Sequence, residues 1–364
     1  MNLLEQTKKL CKLYNIIPAR SRGQNFLINE KVCDKIVEVA DLKPNDTILE
    51  VGPGFGFLTV KLAVGANGHS PVQKVIAVEL DKKLVEILKI RLAEQKIKNV
   101  EVVNEDVLRF KIFPQLRDPA MAVADLKFTD KELNYDLIKE LSSEASELSS
   151  KQAIGDLQQV IKNYKIVANL PYNITSFFLR KFLSAENKPK LMVLMLQKEV
   201  AERITAKPPK MSLLAVSVQF YSEPIIIDYV SKENFWPEPE VDSAIIKITP
   251  HPQPLPRSCL AGEGSKDSEV KKLAPFSHEP ANGRKVGIEG MSVDKEKDFF
   301  RLVRIGFSAK RKMLKNNLAA GYQISQNEVE KKLKSLNFSA KVRAQELSVQ
   351  DWLKLFGEFR LNML

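Results

Sequence analysis

The chain has 364 residues, a formal charge of +11 at pH 7 and a pI near 9.3. That length buries a sizeable core in about two domains, and the basic balance suits a partner with a phosphate backbone. No run reaches membrane-spanning length and the N-terminus lacks a signal-peptide core. Neither the cysteines (Cys11, Cys33, Cys259) nor the histidines (His69, His251, His278) stand at metal, redox or catalytic spacing, so a cytoplasmic protein without a zinc site or a histidine base is expected.

Residues 1–28 read as a leader ending in Gln24-Asn25-Phe26-Leu27. Asn29 is an expected N-cap for a helix running to Ala40. The run Thr47-Ile-Leu-Glu-Val51 then enters a glycine turn, Gly52-Pro-Gly54-Phe-Gly56, and Leu58–Ala63 starts a helix. Glycines there let the backbone approach a ligand, but the spacing is neither the dinucleotide fingerprint nor a P-loop. The next strand, Lys74-Val-Ile-Ala-Val-Glu79-Leu-Asp81, ends in acids, and an acid there commonly binds ribose hydroxyls. The third, Val100-Glu-Val-Val-Asn104-Glu-Asp106, ends in Asp106, which can accept from an adenine amine. Taken singly, either acid reads equally well as a solvated loop residue. A long segment, 111–163, whose part Asp125–Leu148 is acidic and mostly helix-forming, comes before the apolar strand Tyr164–Ala168.

That strand runs into Asn169-Leu170-Pro171-Tyr172. Pro171 cannot continue a ladder, so the chain leaves the sheet at its C-terminal edge, where open α/β sheets bind ligands. An amide, a free carbonyl and an aromatic ring there suit a flat base bearing an exocyclic amine. The bland alternative is a strand end followed by a helix capped by Asn173 or Thr175. The ordered series of glycine turn, Glu79, Asp106 and Asn169-Leu-Pro-Tyr172 points to a nucleoside-type cofactor such as S-adenosylmethionine. Further strands are expected at Leu191–Gln197, Pro224–Val230 and Val241–Ile248. Residues 250–293, rich in Pro, Gly, Ser and Lys, read as a disordered surface loop. From Asp294 to the end, fifteen Lys/Arg stand against eight Asp/Glu, a net +7. Within this tail, Phe299–Lys315 carries apolar residues at helical spacing with basic residues between them, which is either an RNA contact or a solvated face.

The chain resembles the small-subunit ribosomal RNA adenine dimethyltransferases of the KsgA type. The resemblance rests on Arg22-Gly-Gln-Asn-Phe-Leu27, Leu49-Glu-Val-Gly-Pro-Gly54, Val78-Glu-Leu-Asp81, Asn104-Glu-Asp106, Asn169-Leu-Pro-Tyr-Asn-Ile174, Leu196-Gln-Lys-Glu-Val200, Phe235-Trp-Pro-Glu-Pro-Glu-Val-Asp-Ser243 and Phe307-Ser-Ala-Lys-Arg-Lys312. These blocks cover most of 10–110, 164–249 and 298–364, in the family's order. One departure is Lys207-Pro-Pro-Lys-Met211, where the family usually carries a turn containing Gly and Tyr; it bears on the approach of RNA.

The resemblance implies a doubly wound, Rossmann-like α/β sheet dependent on S-adenosylmethionine, over residues 1–249 with an insertion at 111–163. A smaller basic helical domain, 294–364, would follow the loop at 250–293, and the last two strands would pair antiparallel. It implies transfer of two methyl groups to N6 of each of two adjacent adenosines near the 3′ end of 16S rRNA in the immature 30S subunit. A monomer, with no metal and no membrane partner, is expected. Asn169 and the Leu170 carbonyl would hold the target amine at the Pro171 turn, and Tyr172 and Phe235 would stack on the flipped base. Gln24, Asn25, Leu27, Gly52, Gly54, Glu79, Leu80, Asp106, Val107 and Asn169 would surround the cofactor. Arg20, Arg22, Lys310, Arg311, Lys312 and Lys315 would meet RNA. Rival readings are a methylase of large-subunit RNA, a non-catalytic assembly factor with the same fold, and a DNA adenine methyltransferase, whose target motif usually has two consecutive prolines.

Overall fold

In the computed structural model, residues 1–18, 24–65, 71–110, 164–185, 187–251 and 293–360 are described. Arg20, Arg22, His69, Cys259, His278, segment 111–163 and nearly all of 250–293 lie outside them.

Helix α1 (Leu3–Leu13) opens the chain, closed at its start by a capping box between Asn2 and Glu5. Strand β1 (Phe26–Leu27) follows, then α2 (Glu30–Ala40), whose first turn is capped by Asn29 Oδ1 accepting from Lys31 N–H. The alternation continues with β2 (Thr47–Val51), α3 (Phe57–Val64), β3 (Lys74–Glu79), α4 (Lys82–Glu94), β4 (Val100–Asn104), β5 (Tyr164–Asn169), α5 (Thr175–Leu183), β6 (Leu191–Gln197) and α6 (Lys198–Ile204). Next come α7 (Leu213–Tyr221), β7 (Ser222–Val230), β8 (Phe235–Trp236) and β9 (Ser243–Pro250). The last four helices are α8 (Val293–Gly306), α9 (Leu314–Tyr322), α10 (Gln326–Ser335) and α11 (Val349–Arg360).

Seven strands form one sheet in the order β4-β3-β2-β5-β6-β9-β7. The first five are parallel, while β9 runs antiparallel to both β6 and β7. The antiparallel pairing of the last two strands therefore matches expectation. Burial explains the order: β2, β5 and β6 are mostly apolar with nearly every residue buried, as strands covered on both faces require, and the charged exceptions, Glu50 and Lys165, are buried with them. At the edge, β7 alternates and carries Pro224, where a missing N–H costs no ladder bond.

Boundaries shift at β9. The strand starts at Ser243 rather than Val241, because Asp242 ties two turns together: its carbonyl accepts from Lys198 N–H (2.9 Å) and its Oδ1 from Lys232 N–H (3.1 Å). The N-cap position of α5 is Ile174 rather than Asn173 or Thr175. A 3₁₀ turn over Tyr172–Ile174 leads straight into the helix, and no side chain caps it.

The core packs α2 and α3 against β2, β3, β5 and β6 through Ile36, Val37, Ile48, Leu62, Val75, Val167 and Val193. Beneath it lies one buried ion pair: Lys165 Nζ on β5 meets Asp46 Oδ2 at 2.7 Å, both about 10% exposed, and also donates to the Ala40 carbonyl. It fixes the end of α2 to the sheet.

The chain divides into two compact units, residues 1–205 with 221–250, and residues 206–220 with 251–364. Residues 206–220 are expected with the sheet. They cluster instead with the C-terminal helices, because Phe220 stacks on Phe299 (4.7 Å) and Met211 N–H donates to the Gln345 carbonyl (3.0 Å). In this second unit the core is aromatic: Trp352 is fully buried against Phe307, and Phe299 meets Phe356 edge-on.

Candidate functional site

A cavity of about 400 Å³ opens at the C-terminal edge of the sheet, within the rough 300–1,000 Å³ range of small-molecule sites. Its walls are the turns that follow β2, β3, β4 and β5, and the leader at Gln24–Leu27. Every residue expected around a cofactor lines it: Gln24, Asn25, Leu27, Gly52, Gly54, Glu79, Leu80, Asp106, Val107 and Asn169. Leu170, Pro171 and Tyr172 do so too.

Each wall is held by a definable interaction. In the glycine turn, Gly54 (φ +57°) and Gly56 (φ +80°) occupy the left-handed region that side chains resist. A Cβ on Gly56 would stand 2.2 Å from Leu88, and one on Gly54 would crowd the Phe26 ring at 3.2 Å. Arg91 lies over the Phe57 ring and donates to the Phe55 carbonyl, anchoring the same turn from α4. The leader is positioned by β1, whose Phe26 and Leu27 pair with Trp236 and Phe235 of β8. Asn29 and Asn234 reinforce that pairing through their side-chain amides at 2.6 Å.

Glu79, at the end of β3, is 7% exposed. Its Oε2 accepts from Gly54 N–H (3.2 Å) and its Oε1 from Asp81 N–H (2.9 Å). Burial raises its pKa, and these backbone donors oppose the rise. Asn104 donates to the carbonyls of Glu79 and Leu80, fixing the loop that carries them. Glu50, on β2 beneath the turn, also lines the cavity and has an Oε2 without a hydrogen-bond partner among the described residues. Burial pushes its carboxyl up to about 8. Asp106 nucleates a turn of its own, its Oδ1 accepting from Leu108 N–H at 2.8 Å.

On the opposite wall, Asn169 Nδ2 donates to the Asn25 carbonyl at 3.2 Å. Among the described residues nothing donates to the Leu170 carbonyl, whose own N–H is taken by Met195 (3.2 Å). The Tyr172 hydroxyl meets Ser243 Oγ at 3.0 Å, which fixes the ring, and burial raises its pKa. Phe235 does not reach the wall. It is 3% exposed and packs in the core beside Leu27, because pairing with β1 turns it inward.

Among the described residues the wall carries five carboxyl side chains (Glu50, Glu79, Asp81, Glu105 and Asp106), of which burial keeps Glu50 largely protonated at neutral pH, and no Lys, Arg or His. On a chain of charge +11 this is a local reversal of sign. It disfavours a phosphate-bearing ligand and suits a cationic one.

The basic residues expected to meet RNA are not one helical face. Helix α8 ends at Gly306, whose Cβ position would lie 2.3 Å from Trp352. The chain turns there, and Asn317 holds the turn by donating to the Gly306 and Ala309 carbonyls. Lys310, Arg311 and Lys312 stand exposed on this connection. Lys315 lies on α9 and is paired with Glu330 at 2.7 Å, which removes it from the free basic set. Lys315 and Lys334 together hold the Glu330 carboxyl down to about 2.

Sequence reasoning missed Ser243, Asn104, Arg91 and Glu50. Ser243, Asn104 and Glu50 lie inside matched blocks, but nothing in the blocks says what their side chains touch.

The family model described as ribosomal RNA adenine dimethylase matches residues 19–260. The chain belongs to this family. As a ribosomal RNA adenine dimethylase it is an enzyme that methylates ribosomal RNA. Its relatives include the ribosomal RNA small subunit methyltransferase A of Dehalococcoides mccartyi strain CBDB1, 36% identical over 99% of this chain and 95% of that protein. Another is the protein of the same name from Alkaliphilus metalliredigens strain QYMF, 30% identical over 97% of this chain and 96% of the relative. Two solved structures share the fold: the 23S rRNA methyltransferase ErmE (TM-score 0.58, 21% identity, 92% and 100% of the two chains) and a dimethyladenosine transferase from Plasmodium falciparum (TM-score 0.58, 22%, 92% and 98%). Among the described residues no helix is long and apolar enough to cross a membrane.

Proposed function

We propose that this dimethylase acts on the small-subunit RNA, modifying N6 of two adjacent adenosines near the 3′ end of 16S rRNA in the immature 30S subunit, with S-adenosylmethionine as methyl donor. The observation that carries the reading is the acid-lined cavity, without a cationic side chain among the described residues, bounded on one side by Asn169-Leu170-Pro171-Tyr172. When bound, S-adenosylmethionine supplies a methyl group on a positively charged sulfur.

The protein's own part is binding and orientation. Glu79 would accept from ribose hydroxyls and Asp106 from the adenine amine of the cofactor, with Leu80 and Val107 packing beside them. Gly52 and Gly54 would admit the methionine portion, and Gln24, Asn25 and Leu27 would close the site from the leader. An adenine amine is a poor nucleophile, because its lone pair is delocalised into the ring. Asn169 Oδ1 and the Leu170 carbonyl can each accept one N6–H, which favours a pyramidal nitrogen with its lone pair free. Tyr172 would stack on the flipped base. One N6–H remains after a first transfer, so a second round needs only space. No side chain is assigned as a base, and solvent takes the proton.

We assign RNA contact to the exposed Lys310-Arg311-Lys312 connection, with Lys207 and Lys210 as further exposed cations. The small subunit is preferred to the large one on Leu170, the Lys198-Glu199-Val200 block and the long basic tail. The test is incubation with unmodified 30S subunits and methyl-labelled S-adenosylmethionine. The label is expected on two neighbouring adenosines, and label elsewhere or none at all would refute the reading.

A further inference from the structure

Lys181 lies on α5, one helix beyond the Asn169–Tyr172 turn. Its ammonium donates to three backbone carbonyls, those of Val107 (2.8 Å), Leu108 (3.0 Å) and Phe110. An ammonium has three N–H donors, so all three are used on one short stretch of chain.

That stretch is the Asp106 turn. Its N–H groups point inward: Leu108 N–H donates to Asp106 Oδ1, and Arg109 and Phe110 N–H donate to the Asp106 carbonyl at 2.8 Å. The carbonyls of the turn then face away from Asp106, and buried carbonyls require partners. Lys181 supplies them from another element, 71 to 74 residues away in sequence. Burial lowers the Lys181 pKa, and Glu105 and Asp106 oppose that fall.

We propose that Lys181 is a positioning residue: it holds the Asp106 turn so that the second carboxylate oxygen, Oδ2, is presented to the exocyclic amine of a 6-aminopurine nucleoside in the cavity. The inference rests on the assignment of Asp106 to the cofactor adenine. It adds that the adenine subsite hangs from the helix that starts at the target-base motif, so the two ends of the site are set by one element.

The experiment compares binding of S-adenosylhomocysteine with that of its inosine analogue, which has an oxo group in place of the 6-amino group, by calorimetry on the full chain. Wild type is expected to prefer the adenine compound by about tenfold or more, the scale of one hydrogen bond to a charged group. Lys181→Met is expected to shrink that preference to about threefold or less. Adding it to Asp106→Ala should narrow the preference no further. Lys181→Gln keeps two donors, serves if Lys181→Met does not fold, and must also narrow the ratio. A wild-type ratio near one removes the Asp106 assignment, and this inference with it. A wild-type preference that survives in the variants, whatever their melting temperature, shows that Lys181 is scaffold only and overturns the inference alone.

Discussion

The Asn169 side-chain amide donates to the Asn25 carbonyl at 3.2 Å, joining residues 144 apart in sequence. This bond orients the amide. With Nδ2 engaged by the leader, Oδ1 is left to accept, as a residue that binds an adenine amine must. The leader strand β1 is itself fixed by β8, so the pairing of Leu27 with Phe235 helps set the angle of a group at the far end of β5.

Glu79→Ala should weaken S-adenosylmethionine binding by about 1.5–3 kcal/mol, the range for hydrogen bonds to a charged group. Isothermal calorimetry checks this. Unchanged affinity would mean that the carboxylate serves only Gly54 and Asp81.

Glu50 predicts a pH dependence. Burial pushes its pKa from 4.5 to about 8, with the Thr59 hydroxyl opposing and the Glu79 charge adding to the rise. The folded protein therefore holds this proton more tightly than the unfolded chain does. Its contribution to stability is complete below pH 4.5 and is lost as pH rises toward 8, at roughly 1.4 kcal/mol per pH unit. Glu50→Gln should flatten the fall in melting temperature across that window. Parallel profiles for the two proteins would contradict the assignment.

The Lys165–Asp46 pair predicts a stability effect away from the chemistry. Both partners are about 10% exposed, so Asp46→Ala leaves a buried ammonium without its counter-charge. The expected cost is about 3–5 kcal/mol in urea unfolding. A loss under about 1 kcal/mol would show that the Ala40 and Asp41 carbonyls suffice for Lys165.

The sheet was legible because its central strands are mostly apolar runs ended by marked residues: Gly52, Glu79, and Pro171 after Asn169. The cavity residues were legible for the same reason, since they stand at strand ends and strand ends converge on one edge. Side-chain traffic between turns was not. Lys181 shows no signal in sequence, because its three acceptors are backbone carbonyls. Phe235 misled, because an aromatic in a matched block reads alike whether it faces the base or the core. The basic tail misled through periodicity: helical spacing from Phe299 to Lys315 runs across Gly306, where the helix ends.

That break changes the expected RNA contacts. Replacing Lys310, Arg311 and Lys312 together by Gln should weaken RNA binding for any sequence. It should flatten the slope of log affinity against log salt by about 0.7–0.9 per lost contact, and leave cofactor affinity unchanged. Lys315→Gln should scarcely move that slope, because its charge is spent on Glu330. An equal effect from Lys315 would contradict this division.

Nucleoside mass spectrometry tests the central claim most directly. Unmodified 30S subunits, 50S subunits and DNA would each be treated with S-adenosylmethionine and either wild type or Asn169→Ala. Wild type should form N6,N6-dimethyladenosine in the 30S sample alone. Asn169→Ala should form none, although its cofactor affinity stays within about threefold, less than one hydrogen bond's worth. Dimethyladenosine made by Asn169→Ala, or found in 50S RNA or DNA, would contradict the account.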